Sequence, residues 1–215
     1  HLARKDAKVL GMVGAGHQST FQLRAAAEQR DFEKVVAWNP HPDMLPRLGA
    51  VAAELGLAFE AVTQEQLGAQ ADVIITITSA FEPLMMQEWI KPGTHIACMG
   101  TDTKGKMEID QAIFAGATVF ADEIAQSITI GEDQHGLIDL HLAFGEAQHA
   151  IASGGIKETD ITPIGAVING IHAGRSNDDE ITLFDGTGVG LQDLAVASVA
   201  AREAEKTGKA IRLAL

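Results

Sequence analysis

Short apolar runs alternate along most of this chain with stretches whose apolar residues recur at helical spacing, which predicts a parallel sheet with crossover helices. Residues 8–13 read as a first strand. The segment after it, with Phe21, Leu23 and Ala25 among polar residues, reads as a helix to about residue 30. Residues 34–38 make a second strand, Pro40 and Pro42 break the chain, and a helix covers 43–55. A short third strand at 59–62 and a small helix at 64–67 follow. Residues 71–77 form a largely apolar fourth strand. Residues 94–99 form a fifth after the Pro92-Gly93 turn, and 118–121 a sixth, preceded by a helix at 109–115. Beyond these, the pattern predicts a helix over 161–175, a last strand at 181–184 and an alanine-rich helix at 191–206. Ile211, Leu213 and Leu215 alternate as a strand would.

Glycine and polar clusters sit where these strands end. Gly14-Ala15-Gly16-His17-Gln18-Ser19 joins the first strand to the first helix. There Gly14 permits a tight turn, and Gly16, without a Cβ, lets a pyrophosphate approach the backbone. Ser19 takes the place of the usual third glycine and is small enough for close helix–strand packing. Taken alone, this spacing also fits an ordinary glycine turn. In open parallel sheets ligands bind outside the carboxyl ends of strands, where strand order reverses. Asn39, Thr76, Thr78, Ser79 and residues 100–106 all fall at such ends and would converge with the glycines on one edge.

Composition narrows the class. The 215 residues suit one large domain or one and a half, and 46% apolar content is ample for a core. A net charge of −13 argues against nucleic acid, which prefers a basic face, and favours small-molecule partners. The single cysteine, Cys98, excludes an internal disulfide and lies in an apolar run, as a buried thiol would. No apolar run reaches membrane-spanning length and no signal-peptide pattern is visible, so a cytoplasmic protein with no membrane partner is expected. The start, His1-Leu2-Ala3-Arg4-Lys5, reads as the tail of a helix from a longer chain.

One internal echo stands out. Gly131-Glu132-Asp133-Gln134-His135 recurs as Gly145-Glu146-Ala147-Gln148-His149. Glu146 and His149, three apart, share a helix face, with His135 and His141 nearby. No metal-ligand pattern is met, so no metal is expected, and polar contacts on a helix surface are the preferred reading.

Several motifs occur in a fixed order: Gly14-Ala15-Gly16-x-Gln18, Thr76-x-Thr78-Ser79, Gly100-x-Asp102-x-x-Gly105-Lys106-x-Glu108-x-Asp110, and Asp122-x-x-x-Gln126. Gly145-Glu146, Gly174-Arg175 and Ile181-Thr182-Leu183-Phe184-Asp185-x-Thr187-Gly188-x-x-x-Gln192-Asp193 follow. Together these resemble the ornithine cyclodeaminase and mu-crystallin family, which includes alanine dehydrogenase, ketimine reductases and iminosuccinate reductases. The resemblance implies a doubly wound α/β Rossmann-type domain over residues 1–188. Residues 189–215 would then return to an N-terminal substrate and dimerisation domain that this chain lacks, making a homodimer through that domain. Three departures are visible: the stretch between Gln126 and Gly145 looks longer than usual, Gly186 stands where Ser is frequent, and Ala166 where an acidic residue is common.

The resemblance assigns Asp102 as the acid/base group beside the nicotinamide, and a position after an apolar strand would raise its pKa through partial burial. The competing reading is a loop Asp capping a helix near Glu108. Lys106 would hold a ribose hydroxyl, a phosphate or the substrate carboxylate, unless it is merely a solvated lysine. Thr76, Thr78 and Ser79 would meet the adenosine side or the pyrophosphate, or simply reflect strand propensity and a helix cap. His17 and Gln18 would offer backbone N–H groups to phosphate, or stay solvated. Ala15, Met99, Gly100 and Gly186 complete the expected cofactor contacts. Asn39 would bind ribose; Pro40 stands where an Arg often follows in relatives using NADP, so NAD is expected, although His41 or Arg47 could reach a phosphate and allow NADP. His172 receives no role. The implied activity is reduction of an imino acid to an L-amino acid with NADH, or its reverse. Conversion of ornithine to proline with recycled NAD, and a binding protein without catalysis, are the alternatives.

Overall fold

The computed structural model describes residues 1–128 and 145–211. In chain order the first elements are β1 (Val9–Val13), α1 (Ser19–Ala27), β2 (Lys34–Trp38), α2 (Leu45–Glu54), β3 (Ala58–Ala61), α3 (Gln64–Gln70) and β4 (Val73–Thr76). Next come β5 (Phe81–Met85), β6 (His95–Cys98), β7 (Met107–Ile109), α4 (Ala112–Gly116), β8 (Ala117–Ala121) and α5 (Ile124–Ile128). The last are α6 (Ala147–Ala152), β9 (Ile161–Pro163), α7 (Ile164–Ile168), β10 (Ile181–Asp185) and α8 (Gly190–Lys206).

Among the described residues the main sheet has order β3-β2-β1-β4-β6-β10-β8-β9, and every pair in it is parallel. Strand order reverses between β1 and β4, the place where such sheets open a ligand crevice. Register aligns the strand ends. Val13 pairs with Trp38 and Thr76, Thr76 with Cys98, and Cys98 with Asp185. The residues that follow therefore emerge side by side: Gly14, Asn39, Ile77, Met99 and Gly186.

Both sheet faces are covered, and the inner strands are largely apolar. Leu10, Met12, Val35 and Ala37 face Leu23 of α1 and Leu48 and Ala52 of α2. On the opposite face Val13, Ile74, Ile96 and Cys98 pack with Leu67, Ile113, Phe114, Ala147 and Ala150. Cys98 is a buried free thiol, as expected. Helix α3 starts with a capping box, in which Thr63 Oγ1 accepts from the Gln66 amide and Gln66 Oε1 from the Thr63 amide.

The structure departs from the sequence expectations in five places. The helix expected over 161–175 is the edge strand β9 followed by the short α7, which stops before Gly170 at φ +72°. Pro163 is tolerated because it closes a strand at the sheet edge, and the glycines at 165, 170 and 174 weaken a longer helix. The helix expected at 109–115 starts only at Ala112, whose amide Asp110 Oδ1 accepts; Ile109 belongs to β7, which pairs in parallel with the unanticipated β5. Helix α1 ends at Ala27, three residues short of the expected end. Residues 1–7 are not helical, and Leu2 is buried beside Phe120 and Val167. Ile211 is in no strand, and the rest of that expected strand lies outside the described residues, as do the first copy of the echo and His141.

Candidate active site

The glycine loop is tied down at its start and open at its end. Gly14 has φ +109°, and a Cβ there would lie 2.5 Å from Ile77 O, so only glycine fits. The Gly14 amide donates to Trp38 O at 2.9 Å. The Ala15 amide donates to Asn39 Oδ1 at 2.9 Å, and Asn39 Nδ2 donates to His41 O at 2.9 Å. Asn39, expected to bind ribose, is thus buried and joins the glycine loop to the end of β2, with Pro40 exposed beside it. At Gly16 an added Cβ would meet nothing within 4 Å. No described residue accepts a hydrogen bond from the backbone N–H of Gly16, His17 or Gln18. Ser19 is fully buried and bonds back to Gly16 O, as its size predicted. Arg47, from α2, also donates to Gly16 O.

A cleft of 440 Å³ opens from this loop. Gly16, His17 and Gln18 line one side; Thr78, Ser79, Met99 and Gly100 line the other; Asp102 and Lys106 stand at its mouth. Gly186 sits behind Met99, where a Cβ would fall 2.7 Å from the Met99 sulfur. The cradle fits a dinucleotide: a backbone stripped of Cβ atoms, unpaired N–H groups before a helix, and room beside β1 and β4.

Thr78 and Ser79 line the cleft, and Thr76 and Thr78 also bond inward to a buried acid. Thr76 Oγ1 donates to Glu108 Oε2 at 2.6 Å, and Thr78 Oγ1 and its amide donate to Glu108 Oε1. The Gly100 amide adds a bond to Glu108 Oε2 at 3.0 Å. Glu108 is fully buried, and burial raises its pKa although these donors oppose the shift. It staples the ends of β4 and β6 under the cleft. A Cβ at Gly100 would collide with it at 2.5 Å. The sequence signal for Glu108 was its place between apolar Met107 and Ile109 on a strand, which turns it to one face alone.

Asp102 does not behave as its position suggested. Its side chain is 70% exposed, and Lys106 Nζ donates to its Oδ1 at 2.5 Å. The Lys106 ammonium beside it holds the carboxyl below the usual carboxylate range, the opposite of the expected rise. No helix starts near Glu108, so Asp102 is not a cap. Lys106 is 14% exposed and also donates to Gly100 O, so it is no solvated surface lysine.

The Glu146 segment also corrects the sequence reading. Glu146 is 1% exposed and Gln148 is buried too, rather than lying on a helix surface. Asp185, fully buried at the end of β10, accepts from the Glu146 and Ala147 amides at 3.0 Å each and so anchors the start of α6. Burial pushes Asp185 up to about 6. Asp122 takes the amides of Thr187 and Gly188 and fixes the turn after β10. His172 is exposed, edge-on to Phe120, with no part in the cleft. Among the described residues no three His, Cys, Asp or Glu side chains are placed to hold a metal ion.

A sequence model described as the ornithine cyclodeaminase/mu-crystallin family matches residues 1–208. This chain belongs to that family. It is 57% identical to the iminosuccinate reductase of Paracoccus denitrificans over 210 residues, covering 98% of this chain and 61% of that protein. It is 34% identical to the alanine dehydrogenase of Archaeoglobus fulgidus over 200 residues, covering 93% and 58%. The crystal structure of the Paracoccus denitrificans iminosuccinate reductase in complex with NAD+ superposes with a TM-score of 0.90 at 55% identity, covering all of this chain and 62% of that one. An archaeal alanine dehydrogenase dimer with bound NAD gives 0.87 at 32% identity, covering 100% and 62%. The chain thus spans about three fifths of the length of these relatives. The Rossmann-type α/β fold is established by the parallel sheet and by these likenesses. No described helix is long and apolar enough to cross a membrane.

Proposed function

We propose that the protein reduces an imino acid to an L-amino acid, with NADH as hydride donor and iminosuccinate as the first substrate to test. The observation that carries this reading is the Asp102–Lys106 pair at the mouth of a cleft that begins at the Gly14–Gly16 loop. The 57% identity to an iminosuccinate reductase supports the choice of imine. NADH would supply the hydride. Gly16, with the N–H groups of His17 and Gln18, would hold the pyrophosphate; Met99, Gly100, Thr78, Ser79 and Gly186 would bound the remainder. Pro40 and the engagement of Arg47 with Gly16 O favour NAD over NADP.

Protonated Asp102 would give its proton to the imine nitrogen as that carbon accepts the hydride, leaving a C–N single bond and an Asp102 carboxylate. In the open cleft Lys106 keeps Asp102 ionised. A substrate carboxylate drawing the Lys106 ammonium away, together with loss of solvent at the mouth, would raise Asp102 into the range of a proton donor. Lys106 thus has two anionic partners to choose between, and the substrate decides which.

Residues 189–215 would pack on a further domain, through which the protein would form a homodimer. Helix α8 supports this: Leu191, Leu194, Val196 and Val199 are all exposed and none of its residues is buried. A cytoplasmic location accords with such an enzyme.

The test is absorbance of the nicotinamide on mixing the complete protein with NADH or NADPH and oxaloacetate plus ammonia, pyruvate plus ammonia, or a cyclic ketimine. Oxidation of NADH with one imine supports the proposal. Proline formed from ornithine with catalytic NAD, or cofactor binding without either reaction, would replace it with a lyase or a binding protein.

A further inference from the structure

The Gly145-Glu146-Ala147-Gln148-His149 segment touches the loop of Asp102 and Lys106 at three points. Glu146 Oε1 accepts from Thr101 Oγ1 at 2.7 Å and from the Glu108 amide at the far end of the loop. Gln148 Oε1 accepts from the Gly105 amide at 3.2 Å. The His149 ring Nε2 lies 2.7 Å from Lys106 O and, facing a carbonyl, donates to it. None of these groups reaches into the cleft. They bracket Asp102 from behind, on its preceding and following residues. The segment is itself held fast: Asp185 takes the amides of Glu146 and Ala147, and a Cβ on Gly145 would strike Asp185 Oδ2 at 2.3 Å.

We infer that Glu146, Gln148 and His149 form a clamp that positions the Asp102–Lys106 loop, and that Glu146 serves in it as a neutral carboxylic acid. The hydrogen bonds are uneven: Oε1 accepts two, while buried Oε2 has no hydrogen-bond partner among the described residues, so no donor steadies a negative charge on it. The surroundings disfavour a charge. Glu108 of β7 and Asp185 of β10 are buried carboxyls beside it, Cys98 of β6 is a buried thiol, and Asp122 lies beyond Asp185. On the loop, Lys106 turns its ammonium to Asp102; on its own helix, His149 turns to Lys106 O. Burial, with Glu108 adding repulsion, pushes Glu146 up to about 8. Ionisation would place an anion between two other carboxyls, and repulsion from Glu108 and Asp185 would push the side chain from its place even though an anion accepts more strongly from Thr101 and the Glu108 amide. Glu146 is thus a positioning residue, acting on the reaction through the loop it holds. Its effect on catalysis rests on the imine-reductase reading; the clamp does not.

The experiment measures hydrogen exchange of the amides of residues 101–106 in the complete protein from pH 6.5 to 9.5, corrected for intrinsic rates, with residues 73–76 as the internal reference. Wild type is expected to lose protection about 10-fold or more as pH rises through the titration of Glu146, while Glu146→Gln, neutral throughout, keeps it. The same variant should retain kcat within about 3-fold at pH 7 and lack the alkaline loss of kcat seen in wild type, with NADH affinity unchanged. Thr101→Val, which removes one of the two hydrogen bonds to Oε1 and leaves the Glu146 side chain in place, should speed exchange of the Gly105 and Lys106 amides at pH 7. Parallel loss in wild type and Glu146→Gln, no pH dependence in wild type, or unchanged exchange in Thr101→Val would overturn the clamp. A wild type that reduces no imine defeats the proposed function and leaves this exchange comparison intact.

Discussion

Lys106 and Asp102 form an ion pair across one turn of loop, with the ammonium largely covered and the carboxylate largely in water. The lysine therefore sets the protonation of the acid. In Lys106→Met, Asp102 loses the neighbour that depresses its pKa and titrates higher. The alkaline limb of kcat/KM for imine reduction should move up in pH, and KM for the imino acid should rise by about 10-fold or more through loss of one charge-assisted contact. Initial rates across pH 5–10 check both; an unmoved limb would remove Asp102 from the role of proton donor.

Asp102→Asn keeps the shape of the side chain and removes its proton. Because the residue is exposed and bonded only at the loop, the fold should not suffer. The expected fall in kcat is about 10²–10⁴-fold, the usual share of a positioned acid. Fluorescence titration with NADH should show affinity within about 3-fold of wild type.

The two glycines of the first loop should fail in different ways. Gly14→Ala places a Cβ 2.5 Å from Ile77 O at a positive φ and should cost about 2–4 kcal/mol in urea unfolding. Gly16→Leu has open space around it and should unfold within about 1 kcal/mol of wild type. It should nevertheless bind NADH at least about 10-fold more weakly, since the side chain fills the place of the pyrophosphate.

At the opposite end of the sheet, Asp72 is a structural anion. It receives Arg4, Lys91 and the amides of Lys8 and Val9, all within 2.9 Å. Burial alone would raise its pKa; Lys91 and the two amides bring it below the usual value. A depressed folded pKa stabilises above the unfolded value and is lost as pH falls through the folded one, so this contribution should start to decline near about pH 4 and vanish only below the lower folded value. Asp72→Ala should lose about 2–4 kcal/mol at pH 7 and progressively less as pH falls below about 4, by urea midpoint.

The buried acids under the cleft act with the opposite sign. Asp185 and Glu146 have folded pKa values raised to about 6 and about 8, so the native state holds their protons longer than the unfolded chain. Their contribution is largest below the unfolded values and declines as pH rises through the folded ones. Stability should therefore drift down between pH 5 and pH 8 in wild type, and less steeply in Glu146→Gln; calorimetry at several pH values resolves the difference.

Much of the cleft was legible in the sequence because it is made of local signals. Strand, glycine turn and helix are adjacent in the chain at residues 9–27, and the strand ends at Thr76 and Cys98 carry their polar or glycine residues next to apolar runs. The misreadings have physical causes. The helix expected over 161–175 lost to edge pairing with β8, which no local pattern announces. Asp102 was expected to be partly buried because it follows an apolar strand, yet its side chain turns outward after the buried Thr101. That Thr76 and Thr78 also hold Glu108 was not legible, because Glu108 lies some 30 positions away.

By itself the sequence determined most of the alternation of strands and helices, the glycine loop at the first strand end, and the resemblance to the family to which the chain belongs. These follow from periodicities of two and 3.6 residues and from the backbone freedom of glycine. Only the tertiary structure decided the state of the acids. Glu146 meets Thr101 from 45 positions away and Asp185 meets the start of α6 from 39, and those encounters strip water from the carboxyls. Asp102, one residue from Thr101, keeps its water and its charge. Which acid holds a proton is a matter of solvent and neighbours, and both are set by how the chain folds back on itself.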